Sequence, residues 1–322
     1  MNETIQNPVG AAPTPAPQIA ELSGTFDLVK KSWDLIQKNV QTAVVVIAIP
    51  LVLNTVMFGI TLFGGRNFSV ATIATFVITV VALGVMTVVT TMALTYALDA
   101  TAKGTPISTG EAFSLSFKNF IPYCIVLLLV GITTMGGSAL LFVPGIILNV
   151  WFLFSMNTVM FDNARGFGAL QVSRNYVSGY GWNIFSKVVG LGVIFVIASI
   201  IISNITGAVF GIQSVPSQLV LSTFQSIAMV VFLGFNYCLY AELKALKAGT
   251  DVHAKNDSVV IYGAAVVGVI VAIGFITLIA SLPKIIGGFN KDYSWQQKME
   301  MRQIDDIDPE QEGRFIVTPE LQ

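Results

Sequence analysis

Residues 188–241 have the sequence VVGLGVIFVIASIIISNITGAVFGIQSVPSQLVLSTFQSIAMVVFLGFNYCLYA, with no Asp, Glu, Lys or Arg over 54 positions. A helix needs about 20 apolar residues to cross roughly 30 Å of hydrocarbon. The run is therefore long enough for two membrane spans. Its polar middle, around residues 204–217, predicts the loop that joins them.

Four other charge-free runs cover residues 40–65, 67–98, 119–161 and 258–283. The run at 119–161 fits two helices, and Pro144 and Gly145 predict the turn between them, because Pro lacks an N–H donor and Gly permits unusual backbone angles. The sequence thus predicts an all-α integral membrane protein, a polytopic helical bundle of about seven transmembrane helices. Their approximate positions are 40–63, 69–98, 120–142, 145–161, 183–203, 218–243 and 258–282.

The composition of the 322 residues agrees, because 54% are hydrophobic and only 11% are charged. Soluble domains usually have about 45–50% apolar and about 25% charged residues. This balance excludes a soluble enzyme, a disordered protein and a nucleic-acid binder with a basic surface. Membrane lipids are the expected partners.

The Lys and Arg residues predict the orientation. If the amino terminus is cytoplasmic, eleven of them fall in cytoplasmic segments and only Arg66 falls in a short external loop. Cytoplasmic loops of membrane proteins carry this excess of positive charge. We therefore expect a multi-pass protein of the cell membrane (plasma or inner) with a cytoplasmic amino terminus and an external carboxy terminus.

The chain divides into four parts by composition. Residues 1–21 are predicted to be a disordered Pro- and Ala-rich cytoplasmic tail, and residues 22–248 a six-span membrane domain. Residues 249–283 are a loop and the seventh span, and residues 284–322 are a polar, acidic tail. Such a tail is usually solvated, but Trp295 and Met299 also allow a docking segment for a protein partner.

Short amphipathic stretches precede three of the spans, at residues 22–36, 111–120 and 169–180. Apolar residues at helical spacing in each predict short interfacial helices that lie at the membrane surface. The three units are either a repeated scaffold of helix-led hairpins or the ordinary surface helices of a multi-span protein. The second interpretation is favoured.

Polar amides occur inside the predicted spans, among them Asn149, Asn157 and Asn236. Such groups either join helices by hydrogen bonds or line a polar pathway. Asn149 and Asn157 are eight residues apart, so a continuous helix would place them near one face. Small residues in the spans predict close helix packing; they include Gly131, Gly136, Gly137, Gly190, Gly192, Gly263 and Gly268.

Ionisable residues lie only near the predicted cytoplasmic boundary. We expect Asp162 or Glu242 to pair with Lys187 or Arg174 there, and an ion pair that fixes helix ends is favoured over a substrate site. The chain has one His and no Cys or carboxylate at metal-ligand spacing, so we expect no metal and no cofactor. The sequence also has no nucleophile and base grouping, so we expect no catalytic residues and no enzymatic activity.

Several motifs resemble a known family. The first runs from the Val143-Pro144-Gly145 turn to Asp162 and Gly166, and continues through Ala169-Leu170, Ser173, Gly179 and Trp182. The second is Tyr240-Ala241-Glu242-Leu243-Lys244 at the end of the sixth span. Over about residues 25–248 the chain resembles the membrane domain of glycerophosphoryl diester phosphodiesterases and the related six-span bacterial membrane proteins of unknown function.

The resemblance implies a six-span architecture in an envelope or lipid-related setting. The basic residues that usually precede the family's Ser are Gln171 and Val172 here, and Arg174 follows it instead. No stretch outside the predicted spans is long enough for a phosphodiesterase barrel, so the resemblance does not imply phosphodiester hydrolysis.

Two function hypotheses follow. The first is a non-enzymatic membrane module that packs with lipids or partner proteins at the cell envelope. The alternative is a transporter or permease for a small uncharged or amphiphilic molecule. A cavity that reaches Asn149 and Asn157 at the membrane midplane would favour the transporter. The oligomeric state stays open.

Overall fold

The computed structural model describes residues 22–63, 70–140, 142–211, 214–249, 252, 259–277 and 281. The predicted tails at 1–21 and 284–322 lie outside these residues. The described part of the chain is all-α, as predicted. Its helices are α1 Thr25–Lys38, α2 Val40–Phe63, α3 Val70–Ala102, α4 Thr109–Leu140, α5 Phe142–Trp151, α6 Ser155–Phe161, α7 Phe167–Val177, α8 Gly181–Phe210, α9 Val215–Leu246 and α10 Val259–Thr277.

Six stretches of described helix are long and apolar enough to cross a membrane. The chain is therefore a multi-pass membrane protein. Helix α2, 24 residues long, lies where the first of the seven spans was predicted, and Val40–Ile49 is its described apolar part. The six stretches are Val77–Ala102, Thr109–Ala139, Val143–Phe161, Gly181–Phe210, Val215–Leu246 and Val259–Thr277.

Helix α9 is the centre of the bundle and contacts α1, α2, α3, α7 and α8. Its second half buries Phe235, Leu239 and Leu243 completely. Gly234 lets α1 approach closely, since a Cβ there would lie 3.0 Å from Cβ of Ser32. Burial is concentrated in this half of α9, whereas most of α8 is exposed.

The fourth span is not one helix. It consists of α5 and α6, and the helix is interrupted at residues 152–154. The predicted turn at Pro144 and Gly145 is wrong, because both residues lie in the first turns of α5. Pro is tolerated in a first helical turn, where its missing N–H would have no intrahelical partner. Gly145 instead permits contact with α4, since a Cβ there would lie 2.4 Å from Oγ of Ser138.

Two of the three predicted surface helices form as separate short helices, α1 and α7. The third prediction is corrected, because residues 111–120 are the first turns of α4 and continue directly into its span. Ser108 begins this helix with a capping box, in which its Oγ accepts from the Glu111 backbone N–H and the Glu111 carboxylate accepts from the Ser108 N–H.

Only some of the glycines predicted to pack closely do so. A Cβ on Gly136 would lie 2.0 Å from the Ala264 carbonyl oxygen, and one on Gly268 would lie 1.9 Å from the Ile132 carbonyl oxygen, so α4 and α10 touch backbone to backbone. Gly137 packs equally closely against Leu148. The prediction is wrong for the remaining four, where an added Cβ meets nothing within 4 Å: Gly131, Gly190, Gly192 and Gly263.

Candidate functional site

Ser173 closes the interruption in the fourth span. An interrupted helix leaves carbonyls and N–H groups without their intrahelical partners. The Ser173 hydroxyl donates to the Trp151 carbonyl at 2.7 Å and accepts from the Phe154 backbone N–H at 3.1 Å. Ser173 is fully buried on α7, so this family-motif residue joins α7 to both halves of the fourth span.

Asn157 and Asn236 form one amide pair. Nδ2 of Asn157 donates to Oδ1 of Asn236 at 2.7 Å, and Nδ2 of Asn236 donates to the Leu153 carbonyl at 3.4 Å. The second bond uses a carbonyl that the helix interruption releases. Two of the three amides predicted as a polar lining thus bind each other and the backbone of the fourth span.

Asn149 lies apart from this pair. Its Nδ2 donates to the Gly145 carbonyl of its own helix at 2.8 Å, and its side chain is exposed. The predicted common face of Asn149 and Asn157 is therefore wrong. Residues that are eight apart share a helical face only when the helix between them is continuous. The interruption at residues 152–154 lies between Asn149 and Asn157.

Asp162 lies at the end of α6 and pairs with α9. Its carboxylate accepts from Lys244 Nζ at 2.6 Å and from the Tyr240 hydroxyl at 2.8 Å. The side chain of Asp162 is only 5% exposed, so the ion pair and hydrogen bond compensate for its desolvation. Tyr176 stands edge-on to Tyr240 with ring centroids 5.6 Å apart, and burial raises the pKa of Tyr176 to about 12.

Glu242 holds the beginning of α1. Its carboxylate accepts from the Ser23 backbone N–H at 3.1 Å, the Ser23 hydroxyl at 2.7 Å and Lys31 Nζ at 2.5 Å. The hydrogen bond with Glu242 raises the pKa of Lys31 above its ordinary value of 10.5. Ser23 and Glu242 are 219 residues apart in sequence, so this contact joins the beginning of α1 to the last turns of α9.

The ion pairs thus form with partners other than those predicted. Asp162 and Glu242 are both paired, but with Lys244 and Lys31 rather than with Arg174 or Lys187. Lys244 is favoured because it lies four residues, one helical turn, after Tyr240, which already binds Asp162.

Sequence reasoning missed a third pair. Asp99 of α3 binds Lys103 at 2.7 Å and accepts from the Tyr237 hydroxyl at 3.0 Å. The rings of Phe161 and Tyr237 meet edge to face at 6.0 Å, so the two acidic centres share one aromatic cluster. The spacing of four residues between Asp99 in the last turn of α3 and Lys103 directly after it was a usable signal.

Arg174 and Lys187 occupy different settings. The Arg174 guanidinium lies 4.4 Å from the centroid of the Trp151 ring, a cation–π distance. Lys187 lies half-buried on α8 and forms no ion pair with another described residue. The predicted set Asp162, Ser173, Arg174, Lys187 and Glu242 is therefore not one site. Asp162, Ser173 and Glu242 make contacts between helices, Arg174 stacks on an aromatic ring, and Lys187 lies apart from all four on α8.

A groove with a volume of about 410 Å³ lies between α5 and α10, and its lining is almost wholly apolar. We call it the α5–α10 groove. One wall is a face of α5, one wall is a face of α10, and Gly137 of α4 contributes to the junction. The wall residues are Pro144, Ile147, Leu148 and Trp151 on α5, and Val260, Gly263 and Ala264 on α10.

Among the described residues no group of three or more His, Cys, Asp or Glu side chains is arranged to hold a metal ion. In the same part of the chain, the Ser155 hydroxyl is buried without a hydrogen-bond partner. It lies at the start of α6, beside the helix interruption.

Comparison with known proteins adds no relative. No family model, no curated protein and no solved structure matches the chain.

Proposed function

We propose that this protein is a non-enzymatic module of the cell membrane that packs lipids or partner proteins against its outer apolar faces. In this proposal the amino terminus is cytoplasmic and the carboxy terminus external, as the distribution of Lys and Arg favours. The resemblance to the membrane domain of glycerophosphoryl diester phosphodiesterases, carried by motifs such as Pro144-Gly145 and Ser173, supports a lipid-related setting in a bacterial envelope.

The hydrogen bond between Asn157 and Asn236 carries the proposal. A polar pathway needs amides that face water, whereas these two groups satisfy each other. Nδ2 of Asn236 also donates to the Leu153 carbonyl of the helix interruption. This use of intramembrane amides is the common structural one, in which they hold helices together.

The charged groups support the same proposal. Asp162, Glu242 and Asp99 each bind a Lys and a hydroxyl group, and each contact joins different parts of the fold or the end of one helix. An acid that relays protons must be able to exchange partners during a cycle. Carboxylates held by two or more donors act instead as fixed connections.

The test is extraction of the full chain from its native membrane into polymer-bounded lipid discs, followed by mass spectrometry of the co-purified lipids and proteins. We expect lipids or a partner protein retained in fixed ratio to the chain after extensive washing. Discs that contain only lipid of the bulk membrane composition, and no partner, would contradict the proposal.

A further inference from the structure

Helix α1 carries an apolar face that is wider than the part that the bundle covers. Leu28, Ser32 and Ile36 are buried where α1 packs on α9. Beside them, Phe26 is 78% exposed and Trp33 is 45% exposed. The two rings are seven residues apart, a spacing that places them on one side of a helix. We call this side, which no described residue buries, the Phe26–Trp33 flank.

Charged side chains occupy the rest of the exposed surface of α1. Asp27 and Asp34 each follow a residue of the flank, so they lie about 100° further round the helix. Aromatic residues on one side and charged residues, Lys among them, on the other are typical of helices that lie in the plane of a membrane surface. The exposed charged residues are Asp27, Lys30, Lys31, Asp34 and Lys38.

Two charge-free runs of the chain end beside α1. Only Asn39 separates α1 from α2, and Lys38 is the last charged residue before the run at 40–65. Glu242 is the first charged residue after the run at 188–241, and its carboxylate bonds Lys31 of α1 at 2.5 Å. Because charge is excluded from the hydrocarbon and returns at its edge, α1 lies at the level of the lipid headgroups.

The flank cannot turn into the bundle, because contacts with α9 fix the rotation of α1. The backbone N–H and the hydroxyl of Ser23 both donate to the Glu242 carboxylate, at 3.1 Å and 2.7 Å. A Cβ at Gly234 would lie 3.0 Å from Cβ of Ser32, so the two helices are in close contact along the buried face. The flank is therefore held outward.

A second tryptophan is exposed at the same end of the bundle. Trp182 is 84% exposed at the start of α8, six residues before the charge-free run that begins at Val188. Lys247, directly after α9, bonds the Ser178 carbonyl at 2.7 Å, so the start of α8 lies beside the end of α9. Tryptophan is enriched where membrane meets water, with its ring at the level of the headgroups.

We propose that the Phe26–Trp33 flank binds the lipid surface of the membrane, with both rings among the headgroups and the first acyl carbons and with the charged side of α1 in water. The inference deepens the proposed packing function and rests on it, because it names lipid rather than a partner protein as what covers this face. Helix α1 is then held between α9 and the bilayer.

The test measures how often a nitroxide label on α1 collides with oxygen, which concentrates in the bilayer, and with a water-soluble nickel chelate. The full chain with Cys124→Ala and Cys238→Ala receives one labelling site, Phe26→Cys or Trp33→Cys, and is reconstituted into phosphatidylcholine vesicles. We expect both labels to meet oxygen often and nickel rarely, since the apolar face of a surface helix lies about 5–10 Å into the boundary between headgroups and acyl chains.

Asp27→Cys and Asp34→Cys are the matched controls. Each moves the label by one residue, from the flank to the exposed charged side of the same helix. Labels there should meet mainly nickel, so the ratio of oxygen to nickel collisions should fall several-fold from position 26 to 27 and again from 33 to 34. This alternation also shows that α1 remains helical in the labelled chains.

The contrary results are equally distinct. Labels at positions 26 and 33 that meet nickel as freely as those at 27 and 34 would show that the flank faces water, and would overturn the proposal. Labels shielded from both oxygen and nickel would show that a second copy of the chain covers the flank, and would overturn it too. If either result is found while the purified discs still retain lipid or a partner in fixed ratio, the flank assignment fails and the packing function stands.

Discussion

Asn157 of α6 and Asn236 of α9 share a hydrogen bond of 2.7 Å inside the bundle, from Nδ2 of the first to Oδ1 of the second. The bond joins the second half of the interrupted fourth span to the central helix. A transport pathway would need these amides to face water, whereas here they bind each other. The same two side chains therefore cannot serve both transport and helix packing.

The amide pair should behave as a coupled unit. We expect Asn157→Leu and Asn236→Leu each to lower the free energy of unfolding, because each removes the hydrogen bond that joins α6 to α9. The free energy of unfolding lost by the double variant should be smaller than the sum of the two single losses. We expect a coupling energy of about 0.6–1.7 kcal/mol, from the average to the largest value found in double-mutant cycles between membrane helices. Unfolding in mixed micelles checks this, and purely additive losses would mean that the two amides act independently.

Ser173→Ala should destabilise the fold by about 1–3 kcal/mol, because it leaves the Trp151 carbonyl and the Phe154 N–H buried without a partner. Thermal unfolding of the detergent-solubilised protein measures the loss. Ser186→Ala is the matched control, since the Ser186 hydroxyl is exposed and bonds only to the Asn183 carbonyl of its own helix. Equal stability of the two variants would show that Ser173 does not close the interruption.

Glu242→Gln should loosen α1. It removes the negative charge that accepts from Ser23 and Lys31, so amide hydrogen exchange over residues 25–38 should become faster at pH 8. Asp34→Asn, at an exposed acid of the same helix, should leave exchange unchanged.

The same contact predicts a pH dependence. Because the pKa of Lys31 is raised, its contribution is complete below the ordinary value of 10.5 and is lost as the pH rises through the higher folded value. After correction for intrinsic exchange, protection of α1 in the parent protein should therefore fall only above that pH. A decline that begins near neutral pH would contradict the role of Lys31.

Gly136→Ala should separate α10 from α4, because the new Cβ would lie 2.0 Å from the Ala264 carbonyl oxygen. Overpacking of this kind costs about 1–3 kcal/mol, measured as a loss of thermal stability. Gly131→Ala lies on the same helix with nothing within 4 Å of its Cβ, so it should be neutral. Matching losses at both positions would mean that α4 and α10 do not touch at Gly136.

The sequence predicted the helical spans well, because burial in a membrane forbids charge over a helix length and leaves charge-free runs. It failed where geometry depends on partners. The interruption at residues 152–154 contains no Pro or Gly. Ser173 bonds the Phe154 N–H and the Trp151 carbonyl, and Asn236 bonds the Leu153 carbonyl, so side chains of other helices support the break. No local pattern signals such a break.

The ion pairs show the same limit. Asp162 and Glu242 were correctly predicted to form ion pairs, because both lie near the predicted membrane boundary. Their actual partners, Lys244 and Lys31, depend on how α9 is rotated and where α1 docks, which the sequence does not show. The turn predicted at Pro144 was wrong because Pro is common both in turns and in the first turn of a helix. The two cases look alike in sequence.

The most direct test of the packing account is the accessibility of position 157 to a water-soluble thiol reagent. The full chain with Cys124→Ala, Cys238→Ala and Asn157→Cys is labelled in native membranes with a charged methanethiosulfonate, and Ser178→Cys, at an exposed turn, serves as the reactive control. A closed bundle predicts that position 157 stays unlabelled from either side while position 178 reacts readily. Labelling of both positions at comparable rates would mean that water reaches the amide pair, and would contradict the account.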